Sequence, residues 1–144
     1  MNLYPFGIYL MKTLANEVDL LESQWSLLKE VKATTNNNIE ALADVPAASP
    51  WFSGHFPGEP ILPGIALVYI VKQAIIEEAL KKGTQLQLHS LRRIRFTQPV
   101  RPGDTLSISI NYEDTGEDIL FSFKVINKEN VVSSGQIAAK KKNG

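Results

Sequence analysis

The spacing of apolar residues changes along this chain, and each change marks an element. Residues 13–23, TLANEVDLLES, place Leu14, Val18 and Leu21 on one face of a short acidic helix capped by Thr13 or Asn16. SLLKEVKA, the TNNN turn and IEALADVPA then read as a hairpin of two strands. From Pro63-Gly64 the pattern turns helical and runs to about Lys82, with Gly83 as the stop. The first half of this helix (Ile65, Ala66, Leu67, Val68, Ile70, Val71) is apolar on nearly every side, as in a helix surrounded by protein. Its second half, EEALKK, is polar and ends in lysines, which complement a helix C-terminus. LQLHSLRRIRFTQPV is the next strand, ending at an RPGD turn. TLSISINYED alternates cleanly, with Leu106, Ile108, Ile110 and Tyr112 on one face. ILFSFKVIN and VVSSGQIAAK follow, parted by a polar NKEN turn, and KKKNG reads as a solvated tail. The expected fold is α+β: an antiparallel sheet curved around one long central helix. A sheet covers only one side of such a helix, so a second subunit is expected to cover more of its girth.

Composition narrows the function. The 144 residues suit one domain, and 44% hydrophobic with 21% charged residues is ordinary for a globular protein. Fifteen basic and fifteen acidic residues cancel, so no overall field points to nucleic acid. A net charge near zero favours an oligomer. The absence of cysteine excludes disulfides, zinc–thiolate sites and cysteine nucleophiles. Two histidines far apart, with no ligand cluster, argue against a metal site. No cleaved signal is expected, because the apolar start lacks a basic region and is interrupted by Pro5, Gly7, Lys12 and Glu17. The longest apolar candidate for a membrane span, Ile61 to Ile76, contains Lys72 and Gln73. A cytoplasmic location fits these features.

The chemistry concentrates in PAASPWFSGHFPGEPILP, a structured loop whose Trp51, Phe52 and Phe56 require burial. His55 is followed within nine residues by three prolines and two glycines. Histidine titrates near pH 7 and suits a general base, and stiff flanking residues preorganise its ring. Gly64, at a helix start, offers N–H groups and a favourable dipole to a developing oxyanion.

GHFPGEPILPG resembles the signature loop of the hot-dog-fold 3-hydroxyacyl-ACP dehydratases of the FabZ/FabA type, and RIRFTQPVRPGDTL resembles their second signature. The resemblance covers about residues 25–140, leaving 1–24 as an N-terminal extension to a single domain, 25–144. YPF at residues 4–6 lies too far upstream of His55 to match the family's N-terminal motif. The resemblance implies a sheet wrapped around a long helix in a dimer. It implies elimination of water from a 3-hydroxyacyl thioester, with His55 taking the C2 proton and backbone N–H groups near Gly64 holding the thioester oxygen. It implies no cofactor beyond the phosphopantetheine that carries the substrate on acyl carrier protein, although a CoA thioester is an alternative. Gln73 matches a polar helix residue of the family, which orients a loop or substrate or satisfies buried backbone. His89 matches nothing catalytic. Arg92, Arg93 and Arg95 form either a basic patch for an acidic carrier or a solvated strand edge.

One departure matters. The family places its carboxylic acid fourteen residues after the loop histidine, and here that position is Tyr69. Glu59 lies in the loop, while Glu77 on the same helical stripe is about 12 Å further along. Three readings follow. Tyr69 itself donates the proton, as a weaker acid. Alternatively, the chain pairs with a related subunit that supplies the carboxylate to a composite site with His55. In the third, the chain is a non-catalytic acyl-binding or scaffold subunit. A thioesterase fits less well, because no water-activating carboxylate stands on the helix.

Overall fold

The structure, a computed structural model, describes residues 25–53 and 60–142. The helix expected at 13–23 and the loop residues 54–59, which include His55, Phe56 and Glu59, lie outside the described residues.

The elements are β1 (Leu28–Thr34), β2 (Asn38–Asp44), a 3-10 turn (Pro50–Phe52), α1 (Gly64–Lys81), β3 (Leu86–Phe96), β4 (Thr105–Asp114), β5 (Ile119–Asn127) and β6 (Asn130–Lys141). The expected hairpin forms β1 and β2, and its turn uses Asn36 and Asn37 at φ 61° and 59°. Asparagine tolerates this left-handed geometry, which matches the twist of the strands it joins. All six strands are antiparallel, in the order β1-β2-β4-β5-β6-β3. The segment between β2 and β3 therefore crosses from one side of the sheet to the other, and α1 lies in that crossing, against β1, β2 and β3. This is the hot-dog arrangement that the resemblance implies.

Register lines up the inward residues. Ile110 stands opposite Ile39 on β2 and Phe123 on β5, and Ile108 opposite Ala41 and Val125. All of these are buried. The small Ala41 and Ala43 on β2 leave room for the helix to approach. Ile70, Val71 and Ile75 of α1 are wholly buried, each worth about 1.5–3 kcal/mol. Gly83, at φ 75°, stops the helix as expected.

Two local features depart from the pattern. The polar second half of α1 is not uniformly solvated: Glu78 is only 5% exposed. Its Oε1 lies 3.8 Å from Lys81 Nζ, an ion pair beyond hydrogen-bond distance, and that Nζ donates to the Val31 carbonyl at 2.8 Å. The other is a bulge in β3 between Arg92 and Arg95, with Arg93 at φ 56°. There Ile94 crosses Gly135 of β6 so closely that a Cβ at 135 would fall 2.5 Å from Ile94 Cδ1. Among the described residues, no helix is long and apolar enough to cross a membrane.

Candidate functional site

The two sequence motifs meet at the start of α1. The Leu62 N–H, in the first motif, donates to the Val100 carbonyl in the second at 2.8 Å. The RPGD turn after Val100 is closed by Asp104, whose Oδ2 accepts from the Arg101 N–H at 2.9 Å. Val45 and this turn exchange backbone bonds: Gly103 N–H to the Val45 carbonyl at 2.7 Å, and Val45 N–H to the Asp104 carbonyl at 3.0 Å. The second motif is thus a brace between the end of β2 and the residues entering the helix.

Pro63 is the N-cap, at φ −60° and ψ 142°. Proline has no side-chain acceptor, so its side chain satisfies none of the first-turn N–H groups, while its carbonyl accepts from the Ala66 N–H at 2.9 Å. These groups and the helix dipole suit a developing negative charge. Gly64 has a second reason to be glycine. The Phe96 ring lies across it, and a Cβ at 64 would sit 2.8 Å from Phe96 Cζ and 2.9 Å from both Cε atoms. The two residues share a groove of about 330 Å³ with Ile61, Leu67, Gln98 and Pro99. Phe96, half-exposed there, is a site residue that sequence reasoning missed. It lies inside the second motif, but its contact with Gly64 exists only after folding.

Further along α1, Tyr69 and Gln73 follow one another at i, i+4, both partly buried. The Tyr69 ring packs against Trp51, with centroids 5.9 Å apart and planes inclined by 58°. Trp51 and Phe52 are half-buried against the core, as their loop requires. Gln73 Oε1 accepts from the Ser26 hydroxyl at 3.4 Å, so this residue ties the segment before β1 to the helix. His55 lies outside the described residues, so its distance from Tyr69 and Gly64 is not part of this geometry.

The remaining candidates stand apart. Glu77 is exposed and Glu78 is engaged with Lys81. His89 Nε2 pairs with Asp118 Oδ1 at 3.1 Å on the surface. Arg92, Arg93 and Arg95 are exposed along β3, one of the two edge strands of the described sheet. Among the described residues no cluster of histidine, aspartate or glutamate could hold a metal. The resolved titration shifts are also peripheral. Lys29 and Asp44 pair at 2.9 Å, and the bond raises the lysine and lowers the aspartate. Asp114 is lowered by the Gly116 N–H, then by Lys141.

Comparison with known proteins agrees with this arrangement. Residues 30–136 match the family model of the ApeI-like proteins, described as ApeI dehydratase. The 3-hydroxyacyl-[acyl-carrier-protein] dehydratase FabZ of Idiomarina loihiensis is 30% identical over 106 residues, covering 67% of this chain and 70% of that protein. FabZ of Ehrlichia chaffeensis is 38% identical over 88 residues, covering 59% and 62%. The chain thus spans about three fifths of the length of several such relatives. In three dimensions it resembles the dehydratase heterocomplex ApeI:P from Xenorhabdus doucetiae, with a TM-score of 0.61 and 23% identity, covering 80% of this chain and 97% of that one. A protein from Erwinia carotovora has the same TM-score at 30% identity, covering 79% and 92%. With three quarters of its length matched and both motifs built onto one helix start, this chain belongs to the ApeI-like dehydratase family.

Proposed function

We propose that this chain is a dehydratase subunit acting on 3-hydroxyacyl thioesters, and that a related subunit completes its site. The observation that carries the reading is the joining of the two motifs at the start of α1, through Leu62–Val100 and Phe96 over Gly64. In the reaction, His55 takes the C2 proton. The electron pair of that C–H bond forms the C2–C3 double bond as the C3–O bond breaks, and the leaving hydroxide takes a proton to depart as water. Negative charge passes through the thioester oxygen, which the first-turn N–H groups of α1 would hold. Nothing in this step calls for a metal or redox cofactor.

Tyr69 decides between working alone and working in a pair. A phenol with a reference pKa near 10 is a poorer proton donor than a carboxylic acid, so a site relying on it turns over slowly. Among the described residues no strand lies beyond β3, and its outer edge, carrying exposed Leu91 and Phe96, suits pairing with another subunit. The solved heterocomplex of a similar fold supports a partner as the source of the missing acid. The arginines of β3 then suit the acidic surface or phosphate of a thioester carrier, with acyl carrier protein ahead of CoA.

The test is hydration of 2-enoyl thioesters by wild type, His55→Ala and Tyr69→Glu, alone and mixed with a related subunit carrying the helix acid. The reading expects weak activity alone, strong activity in the mixture, loss in His55→Ala and gain in Tyr69→Glu. An inactive mixture, with no gain from Tyr69→Glu, would instead support a non-catalytic acyl-binding subunit.

A further inference from the structure

The 3-10 turn ahead of His55 and the residues ahead of β1 converge on the polar stripe of α1. Trp51 is held at two points. Its backbone N–H donates to Ser49 Oγ at 3.2 Å, and its Nε1–H donates to the Trp25 carbonyl at 2.7 Å. The Trp25 ring meets the Trp51 ring edge-on, with centroids 4.7 Å apart and planes at 84°. The indole so fixed is the one against Tyr69. The neighbour of Trp25, Ser26, reaches Gln73 one helical turn beyond Tyr69. Trp25 and Ser26 lie outside the region matched by the family model, yet they bear on Tyr69 and Gln73 of the stripe.

We propose that Trp51 is a positioning residue for Tyr69: the Trp25 carbonyl fixes its indole, and the indole fixes the rotamer of the phenol. The physical need is specific to a tyrosine. A phenol hydroxyl lies further from the helix axis than a carboxylate, so the same uncertainty in χ1 sweeps it through a wider arc. Proton donation requires placement within a fraction of an ångström. A ring wall held by a backbone hydrogen bond supplies that placement. The kinetic consequence rests on the weak activity that the functional reading above gives the chain without its partner; the geometric one does not.

The experiment uses the full chain alone, where Tyr69 is the proton donor behind the weak activity expected above, in four forms: wild type, Trp51→Phe, Tyr69→Phe and the double variant. Trp51→Phe keeps a ring in the turn and removes the Nε1–H donor. In enoyl-thioester hydration it is expected to lower kcat by about tenfold or more with KM within about twofold, because orientation and not binding is lost. In the Tyr69→Phe background it should have no further effect. An equal loss in both backgrounds would show that Trp51 acts independently of Tyr69, and the proposal would fall. The second readout needs no activity. In protein carrying 3-fluorotyrosine, the ¹⁹F resonance lost in Tyr69→Phe identifies Tyr69, and Trp51→Phe should shift and broaden it. An unmoved, sharp resonance overturns the positioning role even if hydration is absent. Trp51→Leu, read the same way, serves if Trp51→Phe melts below the assay temperature.

Discussion

Gly64→Ala tests the assembly at the helix start with a single methyl group. The added Cβ would lie 2.8–2.9 Å from three carbons of the Phe96 ring. Carbon atoms in ordinary contact are about 3.5–4 Å apart, so the ring or the helix must give by most of an ångström. Overpacking of this kind costs about 1–3 kcal/mol. Phe96 is 51% exposed and its ring can swing outward, which places the cost near the lower end, about 1 kcal/mol. Alanine's better helix propensity offsets at most about 1 kcal/mol, and less at a first helical residue than in an interior. The net expectation is a loss of about 0.5–1 kcal/mol, or roughly 2–3 °C in Tm for a chain of this size. The sign should reverse in a Phe96→Ala background, where only the propensity gain remains. Urea unfolding followed by far-UV circular dichroism on all four members of the cycle measures the coupling. A coupling of about 1 kcal/mol or more is expected, above the 0.3–0.5 kcal/mol scatter of roughly additive sites. A coupling within that scatter would mean that Phe96 is not what demands glycine, and the brace between the two motifs would lose its central contact.

Gly135→Ala should be worse, costing about 2–3 kcal/mol, since its Cβ would meet the Ile94 backbone at 3.1 Å as well as its side chain; a urea midpoint equal to wild type would contradict the contact. Lys81→Met removes the cation beside buried Glu78 and should cost about 1–2 kcal/mol, with Glu78→Gln milder; the same measurement checks both, and an unchanged Lys81→Met would show that Glu78 needs no counter-ion. Asp114 has its pKa lowered by the Gly116 N–H and Lys141, so its stabilising effect is present above the unfolded carboxylate value near 4 and is lost as pH falls through the lower folded value. The Tm difference between wild type and Asp114→Ala should therefore be present at pH 7 and close in more acidic buffer; a gap undiminished near pH 2 would refute the linkage.

Elements whose two faces meet different solvents were legible. The alternation from Thr105 to Asp114 marks β4 at its observed ends, and ILFSFKVIN marks β5 at its own. Gly64 and Gly83 bracket α1 because proline and glycine act on the backbone locally. The bulge at Arg93 was not legible, because a strand's composition does not show where its pairing slips. EEALKK reads from the sequence as a polar half-helix, yet Glu78 within it is buried, a result of packing that residue type alone does not show.

The candidate site divides in the same way. Residue type and spacing alone showed a histidine in a proline- and glycine-rich segment and a glycine at the start of an apolar helix, while the acid's place at Tyr69 is what the family resemblance implies. Folding is what brings Phe96 onto Gly64, Leu62 to Val100, and Trp51, bonded to Trp25, against Tyr69. These contacts join segments far apart in the chain, and such contacts depend on strand order and register. Periodicity says which face of a strand is buried; it does not say which neighbour that strand will choose.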